Sequence, residues 1–166
     1  MIFFKKNKIN SKNNRGFMMV EVLVGSAIVV LAILSFMAVA QKSIAISSRA
    51  LHTVQASSLL EEGAEMVRIH RDNAWTNISN LTVGLEYYPV FSGTVLSFPT
   101  SSSTVGIFTR KVVLTDVYRD ASTGDIVNSG GVLDTGTKLV TVTVSWNEGS
   151  SPVSKTLSFY ILDLFS

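Results

Sequence analysis

The side chains able to do chemistry are few and scattered. The chain has two histidines and no cysteine. Thiol nucleophiles, disulfide frameworks and cysteine-ligated zinc or iron–sulfur sites are therefore excluded. His52 and His70 are 18 residues apart, five turns of a helix, so they share a face but lie about 27 Å from each other. One metal ion within a single chain cannot join them. No G-x-S-x-G, H-E-x-x-H, P-loop or dinucleotide fingerprint is present. Glu61, Glu62 and Glu65 read as a solvated helix face. Asp120, Asp125, Asn128 and Asp134 sit in a Gly/Asp/Ser stretch that offers oxygen ligands for calcium, but the spacing is not that of an EF-hand, and a plain loop is the expectation. No catalytic residue, cofactor or metal site is assigned. The exception is Glu21, the one charge in the 24-residue apolar run Phe17–Ala40. A carboxylate inside a bilayer is unfavourable by about 2–3 kcal/mol at the centre and by less near a helix end, so Glu21 either reaches the interface or needs a cationic partner.

Charge distribution frames that run. Residues 1–16 hold Lys5, Lys6, Lys8, Lys12 and Arg15 and no acid, leaving nine basic and twelve acidic groups over the rest. The sequence pI near 9.0 comes from this segment. No basic patch with interleaved aromatics follows, so no nucleic-acid contact is expected. As a helix, Phe17–Ala40 is roughly 36 Å long, enough to cross a bilayer core, and the basic segment before it predicts the N-terminus inside and the C-terminus outside.

The stretch Arg15-Gly16-Phe17-Met18-Met19-Val20-Glu21-Val22-Leu23-Val24 resembles the processing site of type IV prepilins and pseudopilins. In that family a short basic leader ends in Gly, a prepilin peptidase cuts after it, and the new first residue, usually Phe, is N-methylated. Glu is usually fifth in the mature chain, and Glu21 is fifth from Phe17. The resemblance implies cleavage between Gly16 and Phe17, methylation of Phe17, and pairing of Glu21 with the Phe17 amine of a neighbouring subunit. It also implies a cytoplasmic-membrane precursor that passes into an extracellular or periplasmic filament. The implied partners are the peptidase, other pilin or pseudopilin subunits, an inner-membrane assembly platform and the lipid bilayer. This chain has Met18-Met19 where the family often has Thr-Leu, and it lacks the proline common near the middle of the run. The segment from Ala56 to Trp75 is similar to minor pilins of the PilV/GspI kind. Two other readings remain. Ala38-Val39-Ala40 matches a signal-peptidase site, whose use would leave residues 41–166 as a secreted binding domain, although the run is long for a signal peptide and carries Glu21. An uncleaved anchor bearing a β-rich binding domain is the other.

These residues need elements to position them. From Gln41 to Asp72 there is no proline, and Ala56, Leu60, Ala64 and Val67 share one helical face, with Leu59, Gly63 and Met66 beside it. The expectation is one long helix with a membrane part (17–40) and an amphipathic part (41–72). Residues 73–166 read as a β-rich head. A polar exit at 73–80 with Trp75 as an anchor precedes short strands at 81–90 and 94–98, and residues 100–104 form a loop. Longer strands are expected at 107–119, 139–146 and 153–162, with residues 120–137 as a loop. Val140, Val142, Val144 and Trp146 alternate with Thr141, Thr143 and Ser145, the mark of a half-buried antiparallel strand. The fold class expected is α+β, pilin-like, with the long helix packed on an antiparallel sheet.

Overall fold

The computed structural model describes residues 15–164, with side chains from Met18 onward. The first helix, α1, runs Arg15–Asn73. The chain divides into two units, Met1–Ser48 and Arg49–Ser166. Within the first unit, α1 is exposed at every residue from Met18 to Ser48. The second unit holds the last turns of α1, a short helix α2 (Trp75–Ser79) and an antiparallel sheet.

The principal strands are β5 (Phe108–Arg119), β7 (Val132–Glu148) and β8 (Ser151–Leu162). They pair β5–β7–β8 in chain order. The outer side of β5 carries three two-residue strands, β4 (Thr104–Val105), β1 (Glu86–Tyr87) and β6 (Ile126–Val127). A separate hairpin joins β2 (Val90–Ser92) to β3 (Val95–Ser97) through Gly93, whose φ of +64° suits a residue without a Cβ.

The core forms where the helical period meets the strand period. Ala56, Leu60, Ala64, Met66 and Val67 are buried on α1. Opposite them are Phe108, Val112 and Leu114 of β5, Val140, Val142, Val144 and Trp146 of β7, and Ile161 of β8. Trp75 packs partly buried against this cluster, and Ile78 of α2 is fully buried in it. The helical face and the β7 alternation expected from sequence are both present. On the other face of the sheet, Thr141 meets Ser158 at 3.1 Å and Thr143 meets Thr156 at 3.4 Å, a polar ladder.

Three expectations need correction. Residues 120–137 are not one loop: β6 lies within them and β7 already begins at Val132. Arg119 holds this polar stretch in place. Its Nε donates to Asp134 Oδ2 at 2.6 Å and its Nη1 to the Gly124 carbonyl at 2.9 Å. The register then shifts between Asp116 and Val117, whose partners on β7 are Lys138 and Asp134. That bulge moves the buried phase of β5 from even-numbered residues to Val117. The polar exit at 73–80 contains α2, and Asn77 Nδ2 donates to the His70 carbonyl at 3.1 Å, satisfying one of the open acceptors at the end of α1. The expected strand at 81–90 shrinks to β1, with Val90 joining β2, because Gly84 (φ +80°) and Pro89 interrupt it.

Candidate functional site

Glu21 lies on α1 in an exposed position, surrounded along the helix by apolar side chains exposed in the same way. Met18, Val22, Leu23 and Phe36 all present most of their surface outward. Gly16 and Phe17 fall in the first turn of α1, and their surroundings lie outside the described side chains. Glu21 makes no ion pair with any described residue. The remaining polar groups of the segment are internally satisfied: Ser26 Oγ donates to the Leu23 carbonyl at 2.9 Å and Ser35 Oγ to the Leu31 carbonyl at 2.8 Å. A Cβ built on Gly25 would meet nothing within 4 Å, so this surface is open to another helix. The segment is long and apolar enough to cross a membrane.

Several titratable groups of the second unit are tied into structural pairs. His52 Nδ1 lies 2.7 Å from Glu148 Oε1, and the Trp146 indole N–H donates to the same oxygen at 2.8 Å. Those two bonds, Trp146 first, hold the Glu148 carboxyl below its ordinary range. Arg119, then Thr137, does the same for Asp134. Lys111 and then Tyr88 lower Glu86, and Glu86 in turn raises the Tyr88 phenol. Asp120 accepts from the Ser122 hydroxyl and from the Ser122 and Thr123 amides, which lowers its carboxyl and commits it to its own turn. Among the described residues no three His, Cys, Asp or Glu side chains come together as a metal site. A groove of about 490 Å³ between α1 and the β4–β5 turn is lined by His52, Gln55, Leu59, Val105 and Phe108. No serine or threonine hydroxyl among the described residues bonds a histidine, so this groove contains no assembled nucleophile and base.

His70 stacks on Phe98 at 4.4 Å between ring centroids, and burial lowers its pKa from the ordinary 6.5. A group depressed in the folded state stabilises above its unfolded pKa and loses that contribution as pH falls. The head is therefore expected to lose stability first as pH drops below 6.5, through His70. A second loss follows below the ordinary carboxylate range, through Glu86, Asp120, Asp134 and Glu148. Thermal melts of the wild type and His70→Gln at pH 7.5, 5.5 and 3.5 check this: the variant should lack the first step and keep the second.

Sequence reasoning missed Arg110. It points inward from β5 at 4% exposure, donates from Nη2 to the Pro89 carbonyl at 3.2 Å, and leaves Nε unpartnered. Its Nη1 lies 3.1 Å from Glu62 Oε1, an ion pair without hydrogen-bond alignment. The expected solvated carboxylate at 62, 52% exposed, is thus the counter-charge of a buried guanidinium. Arg110→Met should leave stability unchanged or raise it by about 1 kcal/mol, because removing a poorly bonded buried ion pair often does. Glu62→Gln should lower it by about 1–2 kcal/mol, discounted for the exposure of the carboxylate. Denaturant midpoints of the two variants decide between the two signs.

Comparison of the chain with family models, curated proteins and solved structures gives no match.

Proposed function

We propose that this protein is a structural subunit, of the minor pilin or pseudopilin kind, of a type IV pilus or a type II secretion-like filament. A prepilin peptidase cuts after Gly16 and methylates Phe17. The mature chain then enters a helical filament through residues 17–40, with Glu21 paired to the Phe17 amine of a neighbour. The observation that carries the reading is Glu21 itself: a carboxylate five residues after a Gly–Phe junction, inside an apolar segment and without an ion-pair partner among the described residues. A basic leader before the junction supports it, as does an apolar helix exposed at every described residue from Met18 to Ala40. A surface of that kind has to be covered by lipid, by other helices, or by each in turn. Removing the leader strips five positive charges from the cytoplasmic edge and creates the amine that Glu21 requires. Subunits added head to tail through such a contact form an open filament instead of a closed ring.

The test is the N-terminus of the protein isolated from its native membrane. Mass spectrometry should find a chain that begins at N-methylated Phe17. A chain that begins at Gln41 would make the apolar segment a discarded signal, and an uncut start would make it a simple anchor. Gly16→Leu should leave the 166-residue precursor unprocessed, because a side chain at this position blocks entry to a narrow cleavage site; normal processing of that variant would remove the proposed junction.

A further inference from the structure

The two edges of the sheet are built differently. The outer side of β5 is covered by β4, β1 and β6, three two-residue pieces on separate parts of the strand. The β8 edge is one unbroken twelve-residue strand, paired with β7 in constant register from Thr137↔Leu162 to Glu148↔Ser151. Its other side has no strand beside it among the described residues. Proteins normally protect such an edge with charges, bulges, short strands or a cover. Here Pro152 blunts only the start. The single charge, Lys155, is turned aside and donates to Ser57 on α1 at 3.2 Å.

The free edge opens onto a groove. Register places Val153, Lys155, Leu157, Phe159 and Ile161 on the face that meets α1, since they pair with Trp146, Val144, Val142, Val140 and Lys138. Leu157 is still 37% exposed there. With Ala64, Ser58, Glu61, Glu62, Glu65 and Arg68 it lines a groove of about 620 Å³ between β8 and α1. Glu62 is paired to Arg110 and Glu65 to Arg68, whereas Glu61 has no ion-pair partner among the described residues. Arg68 itself sits over the Phe159 ring at 5.3 Å.

We propose that β8 is a strand-addition site for an extended segment of a different protein chain, antiparallel to β8, with an arginine or lysine opposite Leu157. Backbone pairing supplies the affinity, and alternate side chains supply the selectivity. Residues of the added strand facing away from α1 extend the Ser/Thr ladder at Thr156 and Ser158. The residue opposite Leu157 enters the groove, where Glu61 is the open counter-charge. A second copy is the poorer occupant: its β5 edge is already covered, and the one cation of its own β8, Lys155, is engaged with Ser57.

The probe is a nine-residue peptide alternating valine and threonine, with arginine at its centre, added to the detergent-solubilised full chain. Binding is followed by fluorescence anisotropy and by hydrogen exchange. Saturable binding is expected, with new protection confined to amides in 153–162. A glutamate-centred peptide should bind about tenfold more weakly, Glu61→Lys should narrow or invert that preference, and a peptide N-methylated at alternate residues should not bind. The proposal is overturned by protection elsewhere than β8, by equal binding of the two charge forms, by binding of the N-methylated peptide, or by Ser158→Cys chains that cross-link β8 to β8. None of these outcomes depends on processing at Gly16, so failure here leaves the filament reading to its own test.

Discussion

Glu21→Gln is expected to reach the membrane in normal amount and to fail to enter filaments. Insertion is governed by the apolar content of residues 17–40, and removing a charge there makes it slightly more favourable. Assembly is governed by the pair that Glu21 forms with the Phe17 amine under the proposed mechanism. Deleting one member of an ion pair in a dry helical core leaves the other charge uncompensated, a loss of about 3–5 kcal/mol. That corresponds to on the order of 10²-fold or more in incorporation per contact. The measurement compares membrane-bound and sheared filament fractions of wild type, Glu21→Gln and Glu21→Asp, with membrane insertion as the internal control. Asp keeps the charge on a shorter stem and should recover part of the loss. Normal incorporation of Glu21→Gln would remove this carboxylate from the mechanism and favour a simple anchor.

Gly63 carries the second large effect, by a different route. In an exposed helix interior, Gly63→Ala would gain about 1 kcal/mol from helix propensity. Here a Cβ at 63 falls 2.8 Å from Val142 Cγ1 and 2.9 Å from Arg110 Cδ. Both neighbours are buried, so neither can swing into solvent. Overpacking of this kind typically loses about 1–3 kcal/mol and outweighs the propensity gain. Alanine should therefore destabilise the head by about 1 kcal/mol net, and Gly63→Val by about 3 kcal/mol or more, since its branches add to the clash. Urea denaturation of the detergent-solubilised chain gives both values. Stabilisation by alanine would mean that α1 lies farther from β7 than the structure places it.

The sequence exposed some of this architecture and hid the rest for physical reasons. The stripe Ala56–Leu60–Ala64–Val67 and the alternation Val140–Trp146 were legible because a single buried face imposes a single period. Gly63 read as a residue beside the apolar face, but its role is to admit β7 and the stem of Arg110 close to α1. Arg110 gave no signal, because a charge in an alternating strand reads as facing outward; its long stem packs inside while Glu62 reaches in from the helix rim. Residues 120–137 read as a loop because the Asp, Gly and Asn residues there have low strand propensity. The strand portions exist because Arg119 holds Asp134 across the pair and Gly131 lets the chain pass 2.7 Å from the Arg119 carbonyl, measured to where a Cβ would stand. At the candidate site, the pattern around Gly16, Phe17 and Glu21 is a matter of residue type and offset, so it is read from the sequence alone; the structure adds that Glu21 is exposed on α1. The β8 edge was not legible in the sequence, because an uncovered strand side is a property of sheet order, which no single segment encodes.

The chain-order pairing of β5, β7 and β8 has a kinetic consequence. Every long pairing in the sheet joins consecutive principal strands, so it can close as two successive hairpins without threading one strand between two others. Low sequence separation makes such closure fast. The β7–β8 hairpin turns at Gly149 (φ +65°) and pairs twelve residues in one register, so it is the natural unit to form first. The slow event is the long-range one: the stripe from Ala56 to Val67 must wait, bare, until the strands that cover it have been made and paired. Folding of the head is thus timed by the docking of this helical stripe onto the finished sheet, not by the closure of any one hairpin.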